Sequence, residues 1–196
     1  TAGRTVSHNL GVAPEMIWVK QRNASGEDWK VGVNFTATTN QERALNAIAS
    51  LPPIAYTSYG VFDAQPTASE ITLNDSAAVN GSSSTYIAYL FASLDGISKV
   101  GSYTGNGSSQ TINCGFTSGA RFILIKRTNS TGDWYVWDTG RGIVAGNDPH
   151  LSLNTTAAQV TTDDSVDPAS SGFIVNQVSA TNINVSSAEY IFYAIA

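Results

Sequence analysis

Short apolar runs separated by polar turn residues dominate the chain, and the runs come in two matching sets. "MIWVK" (16–20) and "FILIK" (122–126) are almost continuously apolar, the pattern of central strands buried on both faces. Turn-forming stretches follow at once, "NASGED" (23–28) and "NSTGD" (129–133), and then a Trp-bearing strand, so each set opens with a β-hairpin. "EITLN" (70–74) and "GFIVN" (172–176) lead through further turns, "AAVNGSSS" (77–84) and "SATNINVSS" (179–187), into Tyr-rich strands at 85–93 and 189–196. That spacing predicts a second hairpin in each set. Only "NQERALNAIAS" (40–50) has the periodicity of a helix.

The two sets align. Residues 11–31 match residues 117–137 without a gap at an offset of 106, pairing Lys20 with Lys126, Asn23 with Asn129 and Gly26 with Gly132. After a one-residue shift, Asp28 and Trp29 fall on Asp133 and Trp134. Near the ends of the sets, Tyr86, Ile87 and Tyr89 match Tyr190, Ile191 and Tyr193. The expected architecture is all-β: two tandem homologous sandwich or jelly-roll-like units built from hairpins, at 1–96 and 97–196. The Gly/Ser-rich segment 95–110 reads as the turn-rich linker joining them.

The densest aromatic stretch is "STGDWYVWDTGRG" (130–142). Strand alternation puts Trp134 and Val136 on one face and Tyr135 and Trp137 on the other. The match of Trp134 to Trp29 predicts one core Trp per unit, with Tyr135 and Trp137 on the outward face. Those two positions are Lys30 and Gly32 in the first set, unlike a shared core. An outward aromatic pair suits a subunit interface, a platform for a sugar ring, or packing under a loop. Asp138 and Arg141 follow and offer hydrogen bonds to hydroxyls. Trp18, matched to Leu124, reads as core, and the four matched tyrosines (86, 89, 190 and 193) as scaffold. Lys20 and Lys126 are expected to snorkel, with apolar stems and solvated heads.

Composition narrows the function. Charged residues make up 13% of the chain, against about 25% in ordinary soluble domains, so Ser, Thr, Asn and Gly must supply the polar surface. A net charge of −5 with ten scattered Lys and Arg argues against a nucleic-acid partner. No apolar run is long enough for a membrane-spanning helix, and the first residues lack a signal-peptide pattern. Thr1 in place of an initiator methionine is what a segment of a longer protein would show. Cys114 has no partner for a disulfide and reads as a small buried residue at a strand end. With two histidines and no zinc-like spacing, neither a metal nor a cofactor is expected. Eight Asn-x-Ser/Thr triplets read as turns.

"TVSHNLGVAPEMIWVKQR", "GDWYVWD", "TYIAYLFAS", "KVGSYTGNG" and "YIFYAIA" together resemble a repeated module at the C-terminal end of tail-fibre-like proteins of marine bacteriophages, cyanophages among them. The resemblance covers nearly the whole chain. It implies a virion-surface, trimeric, receptor-binding protein whose partners are a host cell-surface glycan and other virion subunits. It designates no binding or catalytic residues. A structural virion protein, decorating a capsid or building a sheath, is the alternative reading.

Some phage fibres cleave the polysaccharide they bind, so a depolymerase is a further alternative. Glycoside hydrolysis needs two carboxylates about 5–10 Å apart. Asp133 and Asp138, five apart on one strand, should face opposite ways, and Asp163 and Asp167 fall in a turn-like stretch. No Gly-x-Ser-x-Gly elbow is present. The expectation is a binding protein without hydrolase activity.

Overall fold

The computed structural model describes residues 3–56 and 60–196. Its elements are β1 (Arg4–Ser7), β2 (Met16–Gln21), β3 (Lys30–Val33), β4 (Thr39–Ala44), β5 (Pro53–Ala55), β6 (Glu70–Leu73), α1 (Ala77–Asn80), β7 (Tyr86–Phe91), β8 (Ser98–Thr104), β9 (Gln110–Asn113), β10 (Phe122–Arg127), β11 (Trp134–Asp138), β12 (His150–Ser152), β13 (Val166–Ala169), β14 (Gly172–Val175) and β15 (Glu189–Ile195). The protein is all-β, and every strand pairing is antiparallel. Contacts divide the chain into a first unit, Thr1–Asn46 with Leu51–Ala92, and a second, Ala47–Ser50 with Ser93–Ala196.

In the first unit a sheet ordered β5-β4-β3-β2-β7 and a ribbon β1-β6 share a core containing Ile17, Val19, Phe62, Ile71, Leu73 and Val79. In the second, a sheet ordered β12-β11-β10-β15-β8 faces a smaller one ordered β13-β14-β9. Their core includes Ile112, Phe173 and Val175 from one side and Ile123, Ile125, Trp137 and Phe192 from the other. Segments matched in the sequence occupy corresponding positions. Lys20 lies opposite Ile87 as Lys126 lies opposite Ile191, and Val6 opposite Ile71 as Ile112 opposite Phe173.

Small side-chain contacts recur as well. Asn23 Nδ2 donates to the carbonyl of Ser83, and Asn129 Nδ2 to that of Ser187; both serines have positive φ, 61° and 62°. Asp28 accepts from Asn46, and Asp133 from Asn154. The Tyr86 hydroxyl donates to Ala77 O and accepts from Gly81 N, while Tyr190 donates to Asn182 O and accepts from Val185 N. A tyrosine, half-buried in the first unit and buried in the second, thus pins each crossing loop to the strand that follows it.

Several sequence expectations are corrected. The opening hairpins form, β2 with β3 and β10 with β11, but the second hairpins do not. β6 and β7 lie in different sheets, as do β14 and β15, because the loops between them cross the sandwich. Segment 95–110 is no linker: Ser98–Thr104 forms β8, fully paired with β15. Residues 39–44 form a strand rather than a helix. There Asn34 donates to Gln41, and Val61 N and Phe62 N donate to buried Glu42, contacts that a helical turn would scatter. Burial raises the Glu42 carboxyl, and its hydrogen bonds to Asn40 and to these amides oppose the shift.

Candidate functional site

β11 is buried on both faces, which overturns the expected outward placement of Trp137. Its indole is 0% exposed and belongs to the second unit's core. Trp134, on the opposite face, is also 0% exposed. The comparison with Gly32 had argued against shared core, and the structure shows how the difference is absorbed. A Cβ built on Gly32 would lie 2.2 Å from Phe62 and 2.9 Å from Phe35. Two phenyl rings in the first unit therefore occupy the space over this position, which in the second unit is filled by one indole growing from the strand itself.

Other aromatic and basic positions depart from expectation too. Trp29 is only half-buried, because β3 begins after it; its ring lies 5.8 Å from that of Tyr89. Trp18 is likewise half-buried, against Phe91. Lys126 does not snorkel. It is fully buried, and its Nζ donates to the carbonyls of Gly132 (2.7 Å) and Ile48 (3.1 Å). Cys114 is buried as expected, and burial pushes its thiol up to about 12.

Tyr135 is half-buried on the same face as Trp137 and borders a pocket of about 330 Å³. The rest of the wall comes from Arg127 at the end of β10, from the β10–β11 turn, notably Thr131 and Asp133, from the loop after β14, notably Thr181 and Asn182, and from Ile48 and Tyr190. The Tyr135 hydroxyl reaches Ala180 O at 3.4 Å. Burial, aided by the negative charges of Asp133 and Asp163, pushes it up to about 12, so it remains a neutral donor. Asp133 is anchored by Asn154 (2.8 Å) and Ser152 (3.2 Å), and Arg127 by Asn129 (3.1 Å). An aromatic ring, a cation, an anion, an amide and hydroxyls therefore meet around one opening.

Asp138 and Arg141 are not part of it. Asp138 projects on the face opposite Tyr135, and its carboxylate bonds both the guanidinium and the backbone N–H of Arg141, closing the turn after β11. The remaining pocket residues escaped sequence reasoning, because the loop supplying Thr181 and Asn182 lies some fifty positions from the aromatic stretch and shares no motif with it.

Behind Tyr135 and Trp137 lies a buried polar cluster. The His150 ring centroid is 5.3 Å from each aromatic ring, and its Nδ1 is 3.6 Å from Asp163. Ser165 Oγ is 2.6 Å from Asp163 Oδ1 and 2.8 Å from Thr181 Oγ1. The serine is thus bonded to the carboxylate rather than to the imidazole, which is not the order that activates a hydroxyl. Asp133 and Asp138 face opposite ways across β11. Among the described residues, no group of three His, Cys, Asp or Glu side chains is arranged to hold a metal ion.

The cluster has a testable pH signature. Burial raises Asp148 to about 7, against weaker opposition from the Val166 N–H, while burial lowers His150 against the pull of Asp163. A raised carboxyl favours the folded state at low pH and loses that contribution as pH climbs from about 4 through about 7. His150 acts in the opposite sense, opposing folding as pH falls below its ordinary value near 6.5. Asp148→Asn removes the first effect and can still accept from Val166. Urea unfolding should find the variant stabilised relative to the parent at pH 8 and nearly matched to it at pH 4. An equal difference at both values would mean that Asp148 does not titrate in this window.

No curated protein and no solved structure is detectably similar to the chain. One family model matches, and it does so over residues 1–196; the chain belongs to DUF7483, a domain of unknown function.

Proposed function

We propose that the chain is a non-catalytic, carbohydrate-binding module of a virion surface protein, a duplicated unit that recognises a host cell-surface glycan through the pocket beside Tyr135. The observation that carries this reading is the composition of that pocket. A half-buried tyrosine ring can stack on the C–H face of a sugar, while Arg127, Asp133, Asn182 and Thr131 offer donors and acceptors to its hydroxyls. The volume is at the lower end of the range for small-ligand sites, which suits a single sugar residue of a longer chain. The virion setting, the trimer and the other virion subunits as partners rest on the resemblance to phage tail-fibre modules. Trp137, Asp138 and Arg141 drop out of the binding surface, the first because it is core and the others because they close a turn.

Thr131 is exposed at the pocket wall and outside any strand, so filling the opening there should spare the fold. Thr131→Trp is expected to reduce binding to host cells or to their purified surface polysaccharide at least tenfold, with an unchanged melting temperature. Undiminished binding by this variant would remove the pocket from the account. Shortened polysaccharide chains after incubation with the parent protein would replace the binding reading with a depolymerase.

A further inference from the structure

The first unit's larger sheet ends at an edge whose counterpart within the second unit is covered by a further strand. Its larger sheet stops at β7, whereas the corresponding sheet continues past β15 to β8, paired from Glu189↔Thr104 to Ile195↔Ser98. Among the described residues, no strand pairs with the outer edge of β7. The exposure of matched residues registers the difference. Ile191 and Phe192 are 2% and 3% exposed, while Ile87 is 37% exposed, Tyr89 is 45% exposed, and Ala88 between them is also open to solvent. In the second unit Tyr103 of β8 stacks on Tyr190 with centroids 4.8 Å apart. Gly101 of β8 passes beneath Phe192, where a Cβ would come within 2.6 Å of the ring.

The route by which β8 reaches this place also has a counterpart. β8 runs into β9 through a turn containing Gly107 at φ 76°, three positions before β9; β1, the counterpart of β9, is entered through Gly3 at φ 73°, directly before its first residue. Both glycines occupy the left-handed region that favours this residue.

We propose that the outer edge of β7 is a strand-acceptor site, filled by one antiparallel strand of β8-like sequence that leads into β1 as β8 leads into β9. An exposed apolar edge invites pairing, and main-chain hydrogen bonds with alternate side-chain contacts would supply the affinity. The occupant is an extended segment of about seven residues, the span of β8. An aromatic side chain opposite Tyr86 would repeat the Tyr103–Tyr190 stack. Opposite Ala88 the glycine is not required, because no phenyl ring stands there.

The test places the β8 sequence with its next two residues, Ser-Lys-Val-Gly-Ser-Tyr-Thr-Gly-Asn, directly before Thr1, so that five residues separate the added strand from β1 as five separate β8 from β9, and compares this protein with the parent and with a scrambled prefix. Amide hydrogen exchange is read at Ile87, Ala88 and Tyr89, with β15 as the internal reference. The β8 prefix is expected to slow exchange in β7 at least tenfold, independently of protein concentration, while the scrambled prefix does not. Equal protection by both prefixes, or by neither, would overturn the proposal. So would concentration-dependent protection of β7 in the parent, which would show that a second copy of the chain takes the edge.

Discussion

Replacing Trp137 with alanine is expected to destabilise the second unit by about 3–5 kcal/mol, the cost of emptying a fully buried indole site, enough to unfold a marginal domain near physiological temperature. The indole is 0% exposed and lies between the two sheets, with His150 and Tyr135 against it. The corresponding position in the first unit carries glycine and takes its volume from Phe62 and Phe35. Gly32→Ala is therefore an overpacking change, with a smaller expected cost of about 1–3 kcal/mol. Denaturant midpoints would check both. A Trp137→Ala protein with an unchanged midpoint would mean that the indole is not in the core.

Lys126→Met should be the next most damaging change. Methionine approximates the buried stem but leaves the carbonyls of Gly132 and Ile48 without the ammonium that now donates to both. Hydrogen bonds to a charged group contribute roughly 1.5–3 kcal/mol each, so a loss of about 3 kcal/mol is expected. The matched Lys20 is half-buried and donates to its neighbour Gln21 O at 2.8 Å. Lys20→Met should accordingly cost under about 1 kcal/mol. Unfolding monitored by tryptophan fluorescence distinguishes the pair, and equal costs would show that burial does not separate the two lysines.

What the sequence made legible was periodic and local. Continuous apolar runs at 16–20 and 122–126 marked the central strands, and the turns after them marked the hairpins. Matched Asn, Asp and Tyr residues marked contacts that recur down to single hydrogen bonds. What it hid was long-range. Alternation correctly separated Trp134 from Trp137, yet it cannot say which face is covered when both are apolar, and here both are. The absence of a Trp at Gly32 looked like evidence for an exposed site, whereas the compensating Phe62 lies thirty positions away. The buried Lys126 was invisible for the same reason, since its acceptor Ile48 belongs to a segment remote in sequence. The pocket was half legible: Tyr135 stood out as an aromatic without a counterpart, but Thr181 and Asn182 reach it only through the crossing loop.

The central claim, that the opening beside Tyr135 receives a sugar, is tested most directly by titrating isotope-labelled protein with oligosaccharides from the host surface polysaccharide and following backbone amide resonances. The account predicts shifts concentrated at Thr131–Tyr135 and Ala180–Asn182, abolished in the Thr131→Trp protein. Shifts confined to Asp138–Arg141 or to the first unit, or none at saturating oligosaccharide, would contradict it.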